Sequence, residues 1–122
     1  MNLRTIILVS ALFTSGLSVG HEAIKGPNGG RVADAGEYHV ELVARQNVVD
    51  VFLTDANDKT VPSTGFKGVA ILLTDGKSAR ISLESTEGTR LSGKSASALP
   101  AEPRGAVQIT APNGKTAQAR FR

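Results

Sequence analysis

The chain has 122 residues, a formal charge of +3, two histidines and no cysteine. The missing thiols exclude thiolate metal sites, disulfide staples and cysteine catalysis. With one Tyr, four Phe and basic residues scattered singly, no aromatic-and-basic surface for nucleic acid is expected.

Residues 1–20 read as a secretory signal. Arg4 supplies the positive start and "TIILVSALF" the apolar stretch. "SGLSVG" then offers small residues at Ser18 and Gly20, before a cut at His21. The apolar stretch is too short to span a bilayer, which takes roughly 20 residues, and no later segment is apolar enough. Export without cysteines points to a bacterial periplasm. Residues 21–122 then make one small domain, with no membrane span in the mature chain. Loss of Arg4 lowers its charge to +2.

From Gly30 onward the pattern has period 2, with no helical periodicity. "GRVADA" offers a short strand. "EYHVELVAR" (37–45) sets Tyr38, Val40, Leu42 and Ala44 on one face and His39, Glu41 and Val43 on the other. "VVDVFLTD" (48–55) follows a Gln46-Asn47 turn. Strands at 66–75 and 77–85 flank Asp75-Gly76, a hairpin signal. A weaker strand covers 89–96. Pro100 and Pro103 mark 96–105 as a cross-sheet connection. Strands at 105–112 and 115–122 flank Asn113-Gly114. The "PNG" of 27–29 recurs at 112–114 as turn chemistry used twice. The expectation is an all-β antiparallel sandwich of seven to eight short strands, immunoglobulin-like or a related Greek key.

Chemistry-bearing patterns are few. No G-x-S-x-G elbow accompanies the histidines, so no Ser-His-acid site is expected. "DANDK" (55–59) gathers oxygen ligands but lacks the calcium-loop spacing, and reads as a turn. The histidines remain. A cut before His21 would leave its amine and imidazole able to chelate one ion. His39 would add a nitrogen, and Glu41, two residues on along the same face, an oxygen. Such an N/O set, with no sulfur in the mature chain, favours Cu(II) or Zn(II).

"GPNGGRVADAGEYHVELVA" (26–44) also resembles a segment of small periplasmic proteins found with heavy-metal efflux systems, "HGG-[RV]-V-x-x-x-G-x-[YH]-H-x-E-L-V". A similar segment opens some periplasmic adaptor subunits of cation-efflux pumps. The matching residues are Gly29, Gly30, Arg31, Val32, Gly36, Tyr38, His39, Glu41, Leu42 and Val43. "TRLSGK" (89–94) resembles a second, shorter motif of the small proteins. The resemblance implies a periplasmic β-sandwich concerned with metals and no catalytic activity. One position departs: Asn28 stands where the pattern has histidine.

The sequence reading is therefore a non-enzymatic periplasmic accessory with His21, His39 and Glu41 as metal ligands for Cu(II) or Zn(II). The rival is an interaction module of the envelope. In that reading a sheet edge or the 26–30 loop docks an efflux component, and the histidines are incidental.

Overall fold

Alternating β-branched and aliphatic residues suit a pleated surface buried on one side. In the computed structural model, which describes residues 24–122, they form nine strands and no helix. These are β1 (Ile24–Lys25), β2 (Arg31–Ala35), β3 (Tyr38–Arg45), β4 (Val48–Thr54), β5 (Lys67–Thr74), β6 (Lys77–Thr86), β7 (Arg90–Lys94), β8 (Gly105–Thr110) and β9 (Thr116–Phe121). The leader, its cut and His21 lie outside the described residues. Among the described residues no helix is long and apolar enough to cross a membrane.

All nine strands are antiparallel and belong to one sheet, in the order β1-β2-β3-β4-β7-β6-β5-β8-β9. The sequence points to seven or eight strands in two packed sheets; the structure shows one curled sheet, a half-barrel. Two features account for the difference. The first is the ladder from Val48–Val51 of β4 to Leu91–Lys94 of β7, which joins what would be two separate layers. The second is β1, too short for alternation to reveal. It pairs with Arg31 and Val32 on the outer edge of β2. β9 curls round to contact β2 without a ladder. There the Arg31 guanidinium donates to the main-chain oxygen of Arg122 at 3.1 and 3.3 Å. It also lies 5.7 Å from the centre of the Phe121 ring.

The inward faces meet in one core. Val40, Val49, Val51, Leu53, Leu72, Ile81, Leu83, Leu91, Val107 and Ile109 are all essentially inaccessible. Two crossovers close its ends. Residues 55–66 lead from β4 to β5, and there Phe66 meets Tyr38 edge-to-face at 5.5 Å. Residues 95–104, the proline-bearing connection, lead from β7 to β8. Ser95 and Leu99 donate to the carbonyls of Asn47 and Gln46, at 2.7 and 2.8 Å. The hairpin-linked β5, β6 and β7, with β8 returning beside β5, follow a Greek-key order.

One turn is used three times, at Gly26–Gly30, Asp55–Lys59 and Ala111–Lys115. In each, the first N–H donates to the fifth carbonyl and the fourth N–H to the first carbonyl. The fourth residue has positive φ: Gly29 at 84°, Asp58 at 63°, Gly114 at 88°. This is a three-residue hairpin loop with a left-handed closing position. The repeated "PNG" is thus a repeated turn, and "DANDK" is the same turn in other residues. In it Asp55 Oδ1 accepts from the N–H of Lys59 at 3.0 Å and of Asn57 at 2.8 Å. These two bonds, Lys59 first, hold the Asp55 carboxyl below its usual range. A carboxyl acidified on folding adds stability above its unfolded pKa of about 3.9 and loses it as pH falls through the lower folded value. Asp55→Asn keeps an acceptor but not the charge. Urea midpoints of wild type and Asp55→Asn are expected to differ slightly at pH 6 and to converge as pH falls through the lowered folded value.

Candidate functional site

The outward face of β3 carries His39, Glu41 and Val43, as the alternation predicts, but not as a solvated face. Glu41 is 4% exposed and Val43 5%. What covers them is the 26–30 turn, folded over the sheet. Glu41 Oε2 accepts from the backbone N–H of Asn28 and of Gly30, each at 2.8 Å. Glu41 Oε1 accepts from Asn28 Nδ2 at 2.9 Å. A buried carboxylate is tolerated where donors replace its water, and three do so here.

Close approach explains the glycines. A Cβ on Gly26 would strike the Glu41 carboxylate, and one on Gly30 would strike the Leu42 carbonyl oxygen. The "GPNGG" stretch and Glu41 are thus one structural unit, a turn clamped onto β3.

His39 stands two residues before Glu41, opposite Asp34 on β2 and Thr54 on β4. Its Nδ1 lies 3.1 Å from Asp34 Oδ1, and its side chain is 34% exposed. The pairing uses Nδ1 and leaves Nε2 as the nitrogen open to another partner. His39, Glu41 and Asn28 line one cavity of about 110 Å³, with Pro27, Val32, Phe52 and Thr54 among its other walls. The structure therefore brings two of the three expected ligands to one place. The third, His21, lies outside the described residues. Among the described residues no group of three or more His, Cys, Asp or Glu could hold a metal ion.

Two participants escape the sequence reading. Asp34 becomes visible once Gly36-Glu37 is taken as a two-residue hairpin turn. Counting back from it sets Asp34 against His39. Asn28 gives no such signal, because its bond to Glu41 spans 13 positions and depends on how the turn folds over.

A second grouping lies on the outer face of β5, β6, β8 and β9. Four arginines that look dispersed in the sequence, Arg80, Arg104, Arg120 and Arg122, are all exposed there.

No family model matches the chain, and no curated protein or solved structure matches it either. The likeness to metal-efflux proteins stands on residues 26–44 and 89–94 alone.

Proposed function

We propose that the chain is a non-enzymatic periplasmic accessory that binds Cu(II) or Zn(II) in connection with metal efflux. His39 Nε2 and the amine and imidazole of an N-terminal His21 are the ligands. The carrying observation is the Asp34–His39 pair. Histidines that ligate metals usually donate their other ring N–H to a carboxylate or carbonyl, which sets the tautomer and aims the free nitrogen. Reach supports the pairing with His21. Ile24 begins β1 opposite Val32, two positions before Asp34. The three residues from His21 to Ile24 span up to about 10 Å when extended.

Glu41 enters this reading chiefly as the support of the site. Its Oε2 is filled by two backbone donors, while Oε1 accepts a single bond and keeps acceptor capacity. An ion using that oxygen would compete with the Asn28 amide. Asn28 makes weak binding the expectation, because an amide is a poorer transition-metal ligand than imidazole. The position where the efflux-associated pattern has histidine lies against Glu41 and shares a cavity with His39. For the fold, we read the half-barrel as a Greek-key sandwich whose two halves are fused along β4 and β7.

Calorimetric titration of untagged protein beginning at His21 tests the proposal. Saturable 1:1 binding of Cu(II) or Zn(II) is expected. His39→Ala is expected to weaken it about tenfold or more. Asn28→His, by adding an imidazole beside His39, is expected to tighten it about tenfold, equivalent to about 1.4 kcal/mol. Binding indifferent to both changes would remove the metal reading.

The rival reading, a docking module without metal, is favoured by the commitment of Glu41 to the turn. The 26–30 loop would then be a rigid presented surface. In that case capture of an envelope partner would persist in metal-free protein and in His39→Ala.

A further inference from the structure

The outer face of β5, β6, β8 and β9 takes no part in the core or in the cavity beside His39. The ladder register builds it in rows. Arg80, Ile71, Ala106 and Arg120 lie side by side across four strands. The next row begins with Ser78 and Leu73, and Leu73 N–H donates to the Arg104 carbonyl at 2.9 Å. Arg104 and Arg122 complete it, one residue beyond the Gly105–Phe121 pair. Ile71 and Leu73 are 42% and 43% exposed, two of the three large hydrophobic side chains exposed among the described residues. Together with Arg104, Arg120 and Arg122 they line a shallow open hollow. None of the four arginines has a carboxylate within 4.0 Å among the described residues, where the ion pairs involve only His39 and Arg90.

We infer that this face docks on an anionic lipid bilayer, with the arginines on lipid phosphates and Ile71 and Leu73 against the acyl boundary. Three features select that occupant. Arginine's planar fork matches phosphate oxygens. Arg80 and Arg120 lie three strand spacings apart, about 14 Å, with Ile71 and Ala106 between them, a spread that suits an array of phosphates better than a single one. The aliphatic pair sits between the charges, as in surfaces that combine burial at the headgroup boundary with attraction to anionic lipid. A nucleic acid also presents a phosphate array. A single strand would call for stacking aromatics, and the exposed face has none; a duplex offers phosphates but no apolar boundary to take up Ile71 and Leu73. An acidic protein partner could use the arginines, but the Tyr and Trp anchors that accompany Arg in interface hot spots are missing from this face. The inference is independent of the metal reading.

Co-sedimentation with phosphatidylcholine vesicles, with and without phosphatidylglycerol, tests it. Protein beginning at His21 avoids any contribution from the apolar leader and keeps all nine strands. Pelleting only with phosphatidylglycerol is expected, weakening as salt rises. Arg80→Gln with Arg120→Gln is expected to lower the partition coefficient roughly fivefold per arginine, from about 1 kcal/mol each. Ile71→Ser with Leu73→Ser is expected to lower it further. All these side chains are exposed, so the variants are expected to fold, which circular dichroism checks. Pelleting that ignores phosphatidylglycerol or the arginine pair would overturn the inference. So would tighter binding to soluble poly-glutamate or to an oligonucleotide than to the vesicles.

Discussion

Glu41→Ala is expected to destabilise the fold by about 3 kcal/mol, although a lone carboxylate in a strand is ordinarily a dispensable surface group. Three donors face this carboxylate, and the Gly30 N–H is buried with it. A buried donor left without a partner costs about 1–3 kcal/mol, and hydrogen bonds to a charged group are individually worth about 1.5–3 kcal/mol. The exposed Asn28 recovers part of its share from water. For a domain of this size about 3 kcal/mol corresponds to a fall in melting temperature of roughly 15 °C, readable by thermal circular dichroism. Glu41→Gln should cost far less. Its carbonyl can take the Oε2 position, and the Asn28 amide can turn to accept from its NH2. If Glu41→Ala melts within about 2 °C of wild type, the clamp is not a stabilising element. The same pair of variants bears on the metal reading. Glu41→Gln preserves the turn that walls the His39 cavity, so any loss of metal with that variant reports ligation rather than collapse.

Gly30→Ala is expected to cost about 3 kcal/mol or to prevent folding. The added methyl would run into the Leu42 carbonyl oxygen and come within 2.7 Å of Val43 Cγ2. Neither can yield easily, because Leu42 and Val43 belong to the interior strand β3, where Leu42 is paired on both sides and Val43 with Asp50 of β4. Overpacking of this kind costs about 1–3 kcal/mol by itself. Any displacement of residue 30 also breaks its N–H bond to Glu41 and its carbonyl bond from Gly26. Gly29→Ala is the control. It meets nothing within 4 Å, and only its φ of 84° opposes a side chain, at about 1–2 kcal/mol. Urea unfolding should therefore rank Gly30→Ala well below Gly29→Ala. Equal effects would mean that the turn does not sit tightly on β3. Gly30→Ala and Glu41→Ala together should cost less than the sum of the two, since they break one shared bond.

These variants recast the resemblance noted in residues 26–44. Much of the shared pattern, the glycine pair and the glutamate above all, works in this chain as a fold element. Only His39 and position 28 carry the part that distinguishes a metal protein from a well-clamped hairpin. The departure at Asn28 therefore weighs more than any one of the matches.

Period-2 alternation and the turn dipeptides made the all-β class legible, along with strands β2 to β9, and the prolines made the 96–105 crossover legible; that 55–66 is a second crossover was not. Those signals are local, since each strand's in-out pattern and each turn's backbone requirement lie within a few residues. The same locality put His39 and Glu41 on one face correctly. The number of sheets was not legible. A sandwich and a curled sheet have the same alternation, and they differ only in whether β4 and β7, whose paired residues lie some forty positions apart, share a ladder. Nor was the role of Glu41, because a carboxylate in a strand reads the same in water as beneath a turn that donates to it. The arginine face was hidden for the same reason. Arg80 and Arg120 come from β6 and β9 and Arg104 immediately precedes β8, and hydrogen-bond register across the sheet, rather than nearness in the chain, brings them onto one face.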